Sequence, residues 1–498
     1  MRESNWLGKD RPAKGRFGAH VLMLVATATF TMSTPAWAAA PIDAPDTRPF
    51  SVTPMLGLQE SYTDNALLTA NTTESDFITR LTAGADLTVR DGRLRGSASG
   101  NFFYDRYAKS EDLSGWSLYA NGVGSYDVVR DFLSLDVDGN VTNGNVSTFG
   151  TSAINRSGTI GRVQLSTYDI GPTITTTIGQ FADLKAQARF SQVLYAIADG
   201  SPSAALPSDS TIEQATAVLD TADRFVGYQL STAAAYERDD HGFELANFEQ
   251  SAFVRLLPQL RWILRAGYER VIENSLTTLR DPIWSTGLDI KINRESKLSA
   301  EGGERYGHAN WKVDMLLQLS DRLFATGRYY EALEPSQIQI NSAYADYLRS
   351  AVQLPESLVP ANFTINGNLY NQAALNKTAE MRLVYKWDIQ TLGAAAEWSD
   401  RRFTSTGAHD RTLISSLTYT RLIHPDLTLE VRASYAQTFA SPVYGENHSY
   451  GGGLKLSYAL NQTMNLNVGY DYERQNQTSP LTQSITENVA FVAIEKRF

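Results

Sequence analysis

The sequence predicts an all-β fold: a transmembrane antiparallel up-and-down β-barrel of about 22 strands, range ~18–24. Three observations predict it. Apolar and polar residues alternate with period two in segments long enough to cross a bilayer. The connections between those segments alternate between short and long. The composition is aromatic-rich, with Tyr 24, Phe 20 and Trp 8, although mean hydropathy is only −0.27. In a barrel, lipid-facing and lumen-facing residues average out, so ordinary hydropathy misses it.

The chain opens on an export signal. Arg2, Lys9, Arg11, Lys14 and Arg16 form a basic n-region, and an apolar run follows from Val21 to Met32. Ala36-Trp37-Ala38 supplies a small-x-small cleavage site. Thr27, Thr29 and Thr31 interrupt the apolar run, which falls short of the ~20 residues a spanning helix needs. Residues 1–38 are therefore read as a signal peptide, 39–50 as a short Pro-rich periplasmic segment and 51–498 as the barrel. Cleavage removes five basic and two acidic residues, moving the net charge from −10 to −13. So acidic an exported chain is a poor nucleic-acid binder. With Cys 0, disulfides and thiolate metal sites are excluded.

The alternation is clearest late in the chain. Met464, Leu466, Val468, Tyr470 and Tyr472 oppose Asn465, Asn467, Gly469 and Asp471. Leu427, Leu429, Val431, Ala433 and Tyr435 oppose Thr428, Glu430, Arg432 and Ser434. Leu133, Leu135 and Val137 oppose Asp136 and Asp138, and Met381, Leu383 and Tyr385 oppose Arg382 and Lys386. Successive strand side chains point to opposite faces, so each segment has one lipid side and one lumen side. Strands are read from 51–62 to 487–498, including 282–292 and 378–388. Arg130-Asp131 and Asn461-Gln462 are short turns, whereas 63–75, 143–158, 197–209 and 334–377 are long and polar. Short periplasmic turns facing long outer loops is the barrel arrangement. Loop 334–377, with a possible helix over Tyr344–Val352, is long enough to fold inward as a constriction or to lie on the surface.

The last strand ends Ala-Ile-Glu-Lys-Arg-Phe. Ala490, Val492, Ile494 and Phe498 share one face, with Lys496 as the exception. It resembles the closing strand of bacterial outer-membrane barrels, which the assembly machinery reads from the C-terminus. Phe498 is thus the expected assembly signal.

Little points to catalysis. His241, His308, His409, His424 and His448 all fall in expected loops or turns, away from the paired faces that would hold a base. No HExxH, P-loop or dinucleotide motif is present. The reading is no enzyme, no cofactor and no metal. The candidate lumen-lining charges are Asp136, Asp138, Arg382, Lys386, Asp388, Glu430, Arg432, Lys455, Asp471 and Glu473. Facing lipid at mid-depth, Arg or Lys would cost ~2–4 kcal/mol. Facing inward, these charges either line a polar conduit or neutralise one another.

Ser61-Tyr62-Thr63-Asp64-Asn65, then Asp76-Phe77-Ile78-Thr79 and Gly84, resemble the opening of the outer-membrane β-barrel family associated with the PEP-CTERM/exosortase system. Pro282-Ile283-Trp284-Ser285-Thr286-Gly287 and Gly303-Glu304-Arg305-Tyr306-Gly307 match further stretches, the last without the family's second aromatic. The resemblance implies a Gram-negative outer membrane and a non-enzymatic part in exopolysaccharide export or surface assembly. Its implied partners are outer-membrane lipid, the barrel-assembly machinery, exopolysaccharide and periplasmic export proteins. Tyr62, Asp64 and Asn65 would be outer-rim glycan contacts. The alternatives are a general diffusion porin with a polar lumen and a non-conducting structural barrel closed by loop 334–377. A plugged TonB-dependent receptor is disfavoured, because the first strand begins near Ser51.

Overall fold

The computed structural model describes residues 49–145, 162–197, 208–273, 277–340, 373–404, 406–441, 445–477 and 483–498. The expected signal peptide and the helix expected over Tyr344–Val352 lie outside these residues. Twenty-two strands form one closed sheet. The first half comprises β1 (Phe50–Thr63), β2 (Asp76–Asp91), β3 (Leu94–Tyr107), β4 (Gly115–Val129), β5 (Leu133–Asn145), β6 (Arg162–Ile178), β7 (Ala182–Ile197), β8 (Ser210–Asp220), β9 (Tyr228–Asp239), β10 (Phe243–Leu257) and β11 (Leu260–Glu273). The second comprises β12 (Thr277–Lys291), β13 (Lys297–Arg305), β14 (His308–Ser320), β15 (Leu323–Glu334), β16 (Ala374–Lys386), β17 (Gln390–Phe403), β18 (His409–His424), β19 (Leu427–Ala440), β20 (Asn447–Asn461), β21 (Met464–Gln477) and β22 (Gln483–Arg497). Each pairs antiparallel with the next, and β22 returns to β1 from Met55↔Arg497 to Thr63↔Val489. Closure satisfies every strand's backbone laterally, the condition for sheet in hydrocarbon.

Period-two patterning sets the two faces. Along β1, Val52, Leu56, Leu58 and Tyr62 are exposed on the outside, while Ser61 and Thr63 are buried on the inside. On β22, Val492, Ile494 and Phe498 face out, the Phe498 ring at 60% exposure, and Glu487, Val489 and Ala493 face in. The Phe498 amide donates to the Pro54 carbonyl at 3.0 Å, and Lys496 Nζ lies 4.8 Å from its ring, which accommodates the exceptional lysine. Exposed apolar side chains also ring the periplasmic end, among them Phe132, Phe181, Leu257, Ile292 and Leu319, as interfacial anchors do.

The strand count agrees with the sequence reading, and several boundaries move. β12 begins at Thr277, five residues before the expected start. Its pairing to β13 stops at Trp284↔Glu304, so Pro282 has a partner strand, β11, on one side alone, where proline is tolerated. β16 begins at Ala374 rather than 378, because the polar run Asn376-Lys377-Thr378 pairs with Ala332, Glu331 and Tyr330. Two glycines admit close wall contacts. A Cβ on Gly171 would lie 1.8 Å from the Ala188 carbonyl oxygen, and one on Gly303 would lie 1.9 Å from that of Trp284.

Candidate functional site: the lumen wall and its outer cap

The inner wall carries ladders of ion pairs, placed by the inward-facing positions of neighbouring strands. On β5–β7, Arg189 Nη2 meets Asp136 Oδ2 at 2.9 Å and Arg189 Nε meets Asp169 Oδ1 at 3.3 Å. Asp138 is the cross-strand partner of Asp169, so three aspartates share this one arginine. The Gly171 carbonyl accepts from Arg189 Nη1 at 2.6 Å, at the point where β6–β7 pairing skips Gly171 and Pro172. On β10–β13, Arg265 bridges Glu249 at 2.8 Å and Glu301 at 2.6 Å. Arg305 pairs with Glu269 above it, at 2.9 Å through Nε, and Arg261 with Asp289 below it, also at 2.9 Å through Nε. A cavity of about 120 Å³ opens beside Arg265, Glu301 and Arg305. On β19–β21, Glu430 meets Arg432 at 3.4 Å and Lys455 at 3.3 Å, and Arg432 reaches Asp471 at 3.0 Å.

Above these ladders, at the outer end, lies an apolar cluster. After β15 the chain turns inward, and helical residues 336–340 pack on the wall. Ile338 (0% exposed) and Ile340 meet Leu165 of β6, Val193 of β7, Ile212 of β8, Phe243 of β10, Val271 of β11, and Leu333 and Ala373 at the loop's two ends. Tyr195, Leu245, Leu279, Tyr306 and Leu375 complete the cluster. The Glu273 carboxylate clamps it, accepting from the Ala373 amide at 3.3 Å and from the Thr404 hydroxyl. The seam between β1 and β22 is tied at the same end, where Asn488 donates to the Asp64 carboxylate through its amide at 2.8 Å and its side chain at 2.6 Å.

The candidate charges distribute unevenly. Asp136 and Asp138 stand together on β5, and Glu430, Arg432, Lys455 and Asp471 form one network. Glu473 accepts from Gln475 at 3.1 Å, further up β21. Arg382 stands opposite Thr326, apart from both networks. Lys386 closes β16 as an exposed residue. Asp388 lies in the following turn with its side chain 88% exposed, paired with Arg322 at 3.3 Å, because β16 ends two residues before it. The three outer-rim residues point in different directions. Tyr62 faces outward against Phe77, Asp64 is engaged by Asn488, and buried Asn65 donates to the carbonyls of Thr69 and Thr486 at 2.9 Å each. Nor are the histidines confined to loops. His448 lies within β20, and His308 and His409 begin β14 and β18, 3.2 Å from Glu331 and 3.0 Å from Asp400. Among the described residues, no group of three or more His, Asp or Glu is arranged to hold a metal. An inward fold of the stretch after β15 is one of the two courses its length allows, but the cap's wall residues are scattered one per strand end, so no local pattern marks them.

This architecture defines an outer-membrane β-barrel protein of a Gram-negative bacterium. No family model and no curated protein matches the chain. Solved structures do resemble it in fold. The ferric enterobactin receptor of Pseudomonas aeruginosa is 12% identical, with a TM-score of 0.48 over 90% of this chain and 80% of that one. The FrpB iron transporter of Neisseria meningitidis is 12% identical, with a TM-score of 0.47 over 90% and 81%. The siderophore receptor PirA of Acinetobacter baumannii is 8% identical, with a TM-score of 0.48 over 89% and 80%. At these identities the likeness is one of fold.

Exopolysaccharide export is corrected here. The cap supplies the physical reason, since a glycan chain needs a wide hydrated mouth and an apolar cluster stands inside this one. The two alternatives fit no better. An open diffusion porin has no use for such a cluster inside its mouth, and a purely structural barrel has none for a charge-lined lumen beneath it.

Proposed function

We propose that this protein is a transporter that takes up a solute from outside the cell through a barrel closed at rest by its outer cap. The carrying observation is the vertical order of the wall: an apolar cluster built around residues 336–340 at the outer end, and ion-pair ladders below it. Barrels of ~16–18 strands already enclose an aqueous channel, so 22 strands leave room for a solute beneath the cap. A closure on the outer side suits admission from outside, because an arriving solute meets the cap before the lumen. The surplus of aspartate over arginine on β5–β7 favours a solute with a cationic part.

Swelling of proteoliposomes in small neutral sugars tests it. The intact protein is expected to swell them slowly, and a variant lacking residues 336–340 rapidly. Rapid swelling by the intact protein, or none by a folded deletion variant, would sink the capped-transporter reading.

A further inference from the structure

At the outer rim, beside the cap, three side chains come together that the transport reading does not use. Ser208 precedes β8, and Asp240 and His241 form the turn between β9 and β10. Ser208 Oγ lies 2.6 Å from His241 Nε2, and His241 Nδ1 lies 2.9 Å from Asp240 Oδ1. We propose that Ser208, His241 and Asp240 form a nucleophile, base and orienting acid that hydrolyse a carboxylic ester bearing an apolar acyl group at the outer mouth.

The local fold holds the three in place. Buried Asp239 accepts from the amides of His241 at 3.0 Å and Phe243 at 2.8 Å, fixing the turn, and Gly242 at φ 93° completes it. The Ser210 hydroxyl donates to Asp240 Oδ1 at 3.1 Å, which anchors the acid to β8. The Tyr195 amide donates to Asp209 Oδ1 at 2.7 Å, which anchors the segment carrying Ser208 to β7. An acid at Nδ1 selects the tautomer that carries its proton there and leaves Nε2 to accept from the serine hydroxyl. Asp240 and His241 are adjacent in the chain, and their contact is a close ion-pair approach rather than a straight hydrogen bond. Asp240 is accordingly a positioning residue.

Two further observations fit an ester. The pairing of β7 with β8 ends at Val193↔Ser210, and two residues beyond Val193 the Tyr195 amide is held by Asp209, the neighbour of Ser208. The Tyr195 hydroxyl is buried and has no hydrogen-bond partner among the described residues, leaving a donor available for the oxyanion. Val193, Ile212 and the body of Tyr195 belong to the apolar cap, which suits an acyl chain. In the first step Ser208 Oγ bonds to the carbonyl carbon and its proton passes to His241 Nε2. The ester C–O bond then breaks, and the alcohol leaves with that proton. Water attacks the acyl-serine, passing a proton to His241. The acid departs and the proton returns to Ser208 Oγ. No oxidant or metal enters the balance.

The test is covalent labelling of the folded full-length barrel by a fluorophosphonate probe, with hydrolysis of p-nitrophenyl butyrate as a second readout. Labelling is expected at Ser208, and is expected to be lost in Ser208→Ala and His241→Asn, with heat-modifiable gel mobility showing that both variants fold. Tyr195→Phe should slow ester hydrolysis ~10²-fold, the worth of one oxyanion donor. Asp240→Asn should slow labelling and Asp240→Glu should restore part of the rate; a merely structural acid would show no such rescue at equal folding. A folded wild-type barrel that does not label at Ser208, or a Ser208→Ala variant that labels and hydrolyses as before, would overturn the proposal. This readout is independent of solute passage, so it stands or fails apart from the transport reading.

Discussion

Replacing Ile338 by aspartate is the sharpest perturbation of the cap. Ile338 is fully buried among Leu165, Val193, Ile212, Phe243, Val271 and Leu333. Burying an isoleucine side chain stabilises by ~1.5–3 kcal/mol. Residues 336–340 bring two isoleucines to the wall, so their docking draws on about twice that, ~3–6 kcal/mol. Ile338→Asp removes half of this and places a carboxylate in an apolar cluster, at a cost of several kcal/mol. The sum exceeds what docking supplies, so the cap should stay undocked. Ile338→Ala, costing ~2–5 kcal/mol, should raise the open fraction by about 30-fold or more, at 1.4 kcal/mol per decade. Single-channel recording in planar bilayers reads both: rare openings in the wild type, frequent ones for Ile338→Ala and a sustained current for Ile338→Asp. Val226→Asp is the control, since Val226 is 97% exposed in a periplasmic turn. A folded Ile338→Asp barrel as silent as the wild type would refute the argument that these contacts hold the mouth shut.

Other consequences follow from the wall. Current through the opened Ile338→Asp barrel should prefer cations, and Asp138→Asn should weaken that preference, read as a smaller reversal potential in a salt gradient; an unchanged potential would remove Asp138 from the conducting face. Arg265→Met leaves Glu249 and Glu301 opposed without their shared cation, and for a partly exposed arginine should lower stability by ~1–3 kcal/mol in urea titration of the folded barrel, with Glu301→Gln restoring part of the loss. Wild-type stability in the single variant would show that solvent already screens the ladder. Gly171→Val drives a side chain into the Ala188 carbonyl and should abolish heat-modifiable folding or slow it severely. Phe498→Ser should lower the amount of folded protein in the outer membrane of expressing cells while leaving folding of the purified chain into detergent intact; loss of both would make Phe498 a stability residue instead.

The sequence by itself determined the barrel. Period-two alternation has to appear in every strand, because each strand meets lipid on one face and polar lumen on the other. That local rule reached the strand count, the inward row Glu430–Arg432, and the outward row ending at Phe498. It also placed Asp136 and Asp138 on one face, but not the fact that both share Arg189, 53 residues away from Asp136. The tertiary structure decided everything that depends on which strand ends converge. The cap draws Leu165, Ile212, Val271 and Ile338 from four separate hairpins, and the Ser208–His241 contact spans 33 residues. Asp64 and Asn65 read as a free turn in sequence, yet they tie the first strand to the last, because closing the barrel brings residues 424 positions apart into hydrogen-bond range. Such contacts leave no local period. They follow from curvature and shear, which the alternation of a single strand does not encode.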